Sequence, residues 1–424
     1  MGSSCELYLD EDLSLTGQKS HVPDFLRAMF QESDRYEFSD PENGIETVEY
    51  RASRESILSR LNLMGCTDAQ TQRRFDNWRK EAIQDQRDYM EGYLDDTDTH
   101  DRATLEALQA LTWEDWNTRV PEVLRTRYNR DGTDRFIDET DERMKDHEDS
   151  WLWIDGHESL LSLRAVIAAC VDTQRVTLDV GALVGGGWID ADEKICANKI
   201  SVVSTRGQPA GPTIILAEGR SDIAILKASL GRFHPDLADF VTFLDHSEFK
   251  VDGGASYVVK FLKAFAAARV PANVVAVFDN DAAGLSAYRT ARGLKLPHNM
   301  ICVHLPDIDL GRSYPTIGAQ GAHDSDINGR ACGIELYLGE RSLRSNGELR
   351  PVRWTGEDKA SGVYQGEIEE KDAVQKTFLA SMADDDSDVV TTYPEMQLLW
   401  RTILDAAATV ASASQQLARP PRTW

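Results

Sequence analysis

Two short acidic stretches have the residue types and spacing for metal-assisted phosphoryl chemistry. The first is Glu218-Gly219-Arg220-Ser221-Asp222, and the second is Asp279-Asn280-Asp281-Ala282-Ala283-Gly284. Each follows a short apolar run, 213–217 and 274–278, that reads as a buried strand, and each precedes a helical pattern. In a parallel α/β sheet the carboxyl ends of the strands are where ligands bind. Four carboxylates brought together there repel one another unless a cation is present. Hard oxygen ligands select Mg²⁺, with Mn²⁺ able to substitute. The expectation is a magnesium site for phosphodiester chemistry built from Glu218, Asp222, Asp279 and Asp281.

An Asp-x-Asp after a strand also has a plainer reading as a helix cap, since Asp satisfies the orphan N–H groups of a first turn. Capping needs one carboxylate, however, and Asp279 and Asp281 supply two beside Glu218. The elements that would position them begin after a Gly- and Pro-containing linker at 204–211. Strands are expected at 213–217, 240–244, 274–278 and 300–305, with helices at 221–230, 255–268 and 282–292 between them. Strictly alternating strands and helices imply right-handed crossovers and a largely parallel sheet. Beyond it come a Gly/Ser/Asp-rich loop from 306 to 329 and a short helix at 331–338 carrying Glu335. An arginine-rich stretch at 341–359 follows, then a helix from about Asp372 and a terminal helix at 393–411.

The pair Glu218-Gly-x-x-Asp222 and Asp279-x-Asp281-x-x-Gly284 resembles the Toprim domain of topoisomerases, bacterial primases and overcoming-lysogenization-defect (OLD) nucleases. The resemblance covers roughly 210–310. It implies that Glu218 acts as acid/base or metal ligand, that Asp279 and Asp281 bind Mg²⁺, and that Asp222 serves a second metal. Asp326 and Glu335 are candidates to complete that second site; each reads equally well as a helix cap and a solvated face, respectively. Lys371 is a candidate to stabilise the phosphorane-like transition state, against an ordinary surface lysine at a helix start. Lys250 is a weaker candidate for the same task.

The first half is similar to the N-terminal region of bacterial HEPN/Toprim-associated proteins, through Glu6-Leu7-Tyr8, Glu32-Ser33-Asp34 and the segment from Asp155-Gly156-His157 to Gly187-Trp188. Asp326-Ile-Asn-Gly329, 334–339 and Tyr364-Gln-Gly366 with Lys371 resemble the same group's second half. That resemblance implies a role in bacterial anti-phage defence. Catalytic HEPN ribonucleases carry an Arg, four to six residues, then a His. Arg143 and His147 have only three between them, His157 has no Arg at that spacing, and Arg292–His298 falls in the Toprim-like part. The helical half is therefore expected to recognise, regulate or oligomerise rather than to cleave.

The expected architecture is α/β in three parts: a mainly helical HEPN-like domain at 1–205, a Toprim domain with an extension at 206–372, and a helical segment at 373–424. In the first part, helices are expected at 21–33, from Arg54, from Asp68, at 105–116, at 120–128 and at 151–169. Strand-like runs stand at 5–9, 47–51 and 176–180, and 84–101 reads as a solvated acidic loop or, equally, as helices with a mobile acidic connection.

Bulk properties narrow the chemistry further. Among 424 residues, 46 Lys and Arg face 71 Asp and Glu, a formal charge of -25. Affinity for nucleic acid comes from neutralised phosphates, so such a chain needs metal ions, a local basic channel or a basic partner. The six cysteines are scattered with no CxxC pair, which argues against zinc ribbons, and hence a primase, and against a disulfide framework. No Walker A motif occurs. Residues 1–9 lack the pattern of a signal peptide, and no apolar stretch suits a bilayer span, so a cytoplasmic protein is expected. The functional expectation is a nuclease acting on DNA or RNA as a homo-oligomer, under a regulatory partner or phage trigger. A non-catalytic sensor or scaffold is the alternative.

Overall fold

The computed structural model describes residues 3–10, 13–39, 46–93, 99–127, 138–145, 150–156, 158–197, 211–244, 253–358, 362–384 and 392–418. It divides into two compact units, Met1–Thr205 and Arg206–Trp424.

The first unit combines helices with a five-stranded antiparallel sheet. Its strands are β1 (Ser4–Leu9), β2 (Leu13–Lys19), β3 (Arg35–Ser39), β4 (Glu46–Ser53) and β5 (Arg175–Asp179), in the order β2-β1-β5-β4-β3. Alternation sets its inner face: Cys5, Leu7 and Leu9 are buried, and Leu7 and Tyr50 both pair with Leu178. The strands Leu13–Lys19 and Arg35–Ser39 carry no clean apolar alternation and escape a reading of the sequence. The expected helix over 21–33 is only Asp24–Arg27 and a 3₁₀ turn, Glu32–Asp34. Here Asp34 is committed to structure: it ion-pairs Arg60 at 2.6 Å, a guanidinium that is 1% exposed.

Of the two readings of 84–101, the loop gives way to helix over the described residues. Asp68–Tyr93 runs unbroken for 26 residues and Thr99–Ala110 follows, while 94–98 lies outside the described residues. Same-face polar pairs such as Gln84 Nε2 to Asp88 Oδ1, 2.7 Å, support the exposed turns. Trp113–Arg127 is one helix containing Pro121, begun by the Thr112 hydroxyl accepting from the Asp115 N–H. The expected helix at 151–169 is shortened to Leu160–Ala169 because Ser159 caps it and Gly156 takes φ +89°. Trp113 stacks on Trp116, whose indole N–H donates to the Trp151 carbonyl at 2.8 Å.

The second unit is built on a parallel sheet of β6 (Thr213–Leu216), β7 (Val241–Phe243), β8 (Val274–Phe278) and β10 (Met300–His304). The two-residue strand β9 (Asn280–Asp281) stands apart. The order β10-β8-β6-β7 makes β6 and β8 neighbours although β7 intervenes in sequence. Both faces are covered, and accordingly β8 is buried at every position. Helices Ala255–Ala268 and Ala282–Arg292 pack on one face through Val258, Leu262 and Ala291 against Val274, Ala276 and Phe278. The terminal helix Pro394–Ala418 packs against β8, β10 and helix Arg220–Phe233, with Trp400 Nε1 donating to Ser229 Oγ at 2.9 Å.

The stretch expected as a loop from 306 folds into β11 (Tyr314–Gly318) and β12 (Gly321–Ser325), a hairpin. The expected 331–338 helix is instead β13 (Ala331–Cys332) and a 3₁₀ turn, Ile334–Tyr337. After a short hairpin, β14 (Arg344–Ser345) and β15 (Glu348–Leu349), come β16 (Val352–Asp358) and β17 (Val363–Ile368). They join the hairpin in a sheet ordered β12-β11-β16-β17. The arginine-rich run is largely neutralised, since Arg344 pairs with Glu340, Arg350 with Glu370 and Arg353 with Glu369.

Candidate metal centre

The β6–β8 junction is a topological switch point: the chain leaves β6 toward β7 on one side and returns to β8 on the other. A crevice opens at such a junction beyond the carboxyl ends of the strands. Glu218 follows β6 there, and Asp279 follows β8. Their loops are fastened together, because Glu218 Oε1 accepts the Asp279 backbone N–H at 3.0 Å. Asp222 turns back to accept the Gly219 N–H at 2.7 Å, and the Ser221 hydroxyl donates to it at 3.2 Å. Asp281 caps the next helix by accepting the Gly284 N–H at 2.6 Å. The capping role and a place in an acidic cluster thus coexist in one residue.

Two glycines are needed for close approach rather than for unusual dihedrals. A Cβ on Gly284 would lie 2.4 Å from the Asp279 carbonyl oxygen. One on Gly253 would lie 2.8 Å from the Glu218 carbonyl oxygen, beside the 2.7 Å bond from the Gly254 N–H to that oxygen.

Glu335 reaches the same place from far along the chain. Strand β9 pairs antiparallel with β13, Asp281 opposite Ala331 and Asn280 opposite Cys332. Asn280 is buried; it donates to Asp307 at 2.8 Å and accepts from the Gly329 N–H at 3.0 Å. The 3₁₀ turn after β13 then buries Glu335, 3% exposed. A Cβ on Gly333 would sit 3.0 Å from Glu335 Oε2 and 3.5 Å from Asp279 Oδ2, so both carboxylates flank the same bare Cα. Lys371 opens the helix Lys371–Ala383, and its ammonium lies 3.1 Å from Glu335 Oε1. Gln375, one turn on, donates to that same oxygen at 2.7 Å. No motif flags Gln375; its only signal in the sequence is the i, i+4 spacing from Lys371.

The structure thus brings together Glu218, Asp222, Asp279, Asp281, Glu335 and Lys371. Asp326 is exposed, and its carboxylate accepts from the backbone and side-chain amides of Asn328 at 3.0 and 3.1 Å, shaping the turn before β13. Lys250 lies outside the described residues, as do His147, His157 and the 204–210 part of the linker.

Electrostatics follow from burial and like charge. Desolvation, opposed by the Asp279 N–H and reinforced by Asp281 and Asp222, pushes the Glu218 carboxyl up to about 7. Burial and the surrounding acids raise Asp279 well above the usual carboxylate range. Burial likewise raises Asp222, with Glu335 adding to it, and Asp281, where the Gly284 N–H pulls the other way. Burial alone would lower the Lys371 ammonium, but Glu335, Asp279 and Asp222 lift it to about 12.

Among the described residues, no three His, Cys, Asp or Glu side chains already converge as ligands of one metal ion. The donor set nonetheless fits a hard divalent cation. It offers oxygen alone, and the crowding that raises these carboxyls is what a cation reverses.

Residues 1–202 match the family model for HEPN/Toprim N-terminal domain 1. The match associates the chain with HEPN/Toprim proteins; it covers nearly the whole first unit and stops short of the carboxylate cluster. No curated protein and no solved structure matches the chain. No helix among the described residues is long and apolar enough to cross a membrane.

Proposed function

We propose that this protein is a Mg²⁺-dependent nuclease that hydrolyses phosphodiester bonds of DNA or RNA, with Mn²⁺ able to substitute. The observation that carries this reading is the gathering of five carboxylates and one lysine at the carboxyl ends of β6 and β8. Glu218, Asp222, Asp279, Asp281 and Glu335 are the residues to hold the cation. When bound, it polarises a phosphoryl oxygen and acidifies the attacking water. Glu218 Oε1 is tied to the Asp279 N–H, which leaves Oε2 to take the proton from the nucleophile. A cation beside Glu218 would favour its ionised form, the form that accepts a proton. Lys371 orients the phosphate and offsets the charge that builds on it. Resemblance of the acidic motifs to those of OLD nucleases supports the same chemistry.

The HEPN/Toprim match of the first unit supports a setting in bacterial anti-phage defence. In that setting the chain is a cytoplasmic homo-oligomer, and a regulatory partner or phage component triggers the second unit.

The test is cleavage of supercoiled plasmid and of tRNA side by side, with Mg²⁺ or Mn²⁺ and with phage lysate as trigger. Chelation should stop cleavage, and Glu218→Gln or Asp279→Asn should reduce it by roughly 10²-fold or more while the circular dichroism spectrum is unchanged. Wild-type rates in both variants would exclude the reading. A formal charge of -25 and the ion-paired arginines favour a second one, a non-catalytic sensor or scaffold. Tight binding of a trigger with no cleavage of either substrate under any metal condition would decide for it.

A further inference from the structure

Lys371 occupies a position that helix electrostatics disfavour. It is the first residue of its helix, where the macrodipole prefers an acid and opposes a cation. The residue before it, Glu370, adopts a left-handed conformation at φ 54°, and its carbonyl accepts the Ala373 and Val374 N–H groups to start the helix. What the ammonium faces is the acidic cluster. It pairs directly with Glu335, and its charge acts on Glu218, Asp222, Asp279 and Asp281 as well.

Glu335 is shared between two neighbours. Its Oε1 accepts from both Lys371 and Gln375, whereas its Oε2 lies beside the Gly333 Cα that Asp279 also flanks. If the ammonium leaves, the neutral Gln375 amide still holds Oε1 in place, and the carboxylate keeps its aim toward Asp279.

We propose that Lys371 is a built-in counter-ion that a divalent cation displaces. In the metal-free protein its ammonium neutralises Glu335 and the acids around it. Metal entry at Asp279 and Glu335 releases the side chain, which then turns to the substrate phosphate. One residue thus stabilises the empty site and reports its filling. This inference rests on the metal-dependent reading above.

Mn²⁺ binding to the full chain, read by electron paramagnetic resonance of the free ion, tests it without any assay of activity. Lys371→Met removes the charge and keeps the length, while Lys371→Arg keeps the charge and controls for fold. The methionine variant should bind Mn²⁺ about tenfold more tightly, the equivalent of one like charge removed. Its unfolding midpoint in EDTA should fall by several degrees and recover on adding Mn²⁺. The arginine variant should stay close to wild type in both. Wild-type or weaker Mn²⁺ affinity in Lys371→Met would overturn the displacement and leave the metal site standing. Absence of Mn²⁺ binding in wild type and in both variants would overturn the metal reading and this inference together.

Discussion

Gly284 shows how little room the centre leaves at the level of a single atom. A methyl group there meets the Asp279 carbonyl oxygen at 2.4 Å and its nitrogen at 2.9 Å, both of them backbone that cannot rotate away. Gly284→Ala should therefore cost about 1–3 kcal/mol of stability and displace Asp279. Chemical denaturation and Mn²⁺ titration of the variant would check both, and unchanged values in the two would refute the crowding. Glu218 supplies a second outcome. Its carboxyl is raised in the folded, metal-free protein, so the folded state binds a proton that the unfolded state has released. Its stabilising contribution is full below the ordinary carboxylate value of about 4.3 and is lost as pH rises through about 7. In EDTA, Glu218→Gln should flatten the fall of the denaturation midpoint between those two pH values. A wild-type slope in the variant would mean that Glu218 does not titrate there.

Among elements, the terminal helix matters most for positioning. Met396, Leu399, Trp400, Ile403, Ala407 and Val410 form its buried stripe, and Trp400 both fills the contact with helix Arg220–Phe233 and bonds Ser229. Trp400→Ala should destabilise the second unit by about 3–5 kcal/mol, measured by the loss of its unfolding transition to lower denaturant. An effect within 0.5 kcal/mol would show that the helix does not brace the sheet. The strands that carry the acids were legible because a fully buried parallel strand is a compact apolar run, and Val274–Phe278 has no other plausible reading. The helix expected from about Asp372 is Lys371–Ala383, but the segment that delivers Glu335 was less legible. Residues 331–338 look helical in composition, yet pairing of Ala331 and Cys332 with β9 forces them extended before the turn that buries Glu335. No local pattern encodes a two-residue ladder between positions so distant in sequence.

At the scale of the whole molecule, the negative charge is the fact that any function must accommodate. Arg344, Arg350 and Arg353 of the arginine-rich run are spent on Glu340, Glu370 and Glu369 within the fold. A sequence gives the sign of each charge but not its partner, so these pairings are not legible in it. The first unit was the harder half to read. Its five-stranded sheet joins β1 and β4 through β5, a strand that comes after most of the helices. The family match to residues 1–202 spans that arrangement as one piece.

The ladder between β9 and β13 also fixes when the centre can exist. During synthesis Glu218, Asp279 and Asp281 leave the ribosome well before Glu335, and Glu335 before Lys371, while Trp400 comes later still. A nascent chain that has emerged only through β10 carries the first acids with neither their partner carboxylate nor their ammonium. The centre is therefore complete only after Glu335 and Lys371 have emerged. If the proposed function holds, a chain that stops before Glu335 and Lys371 should not cleave nucleic acid.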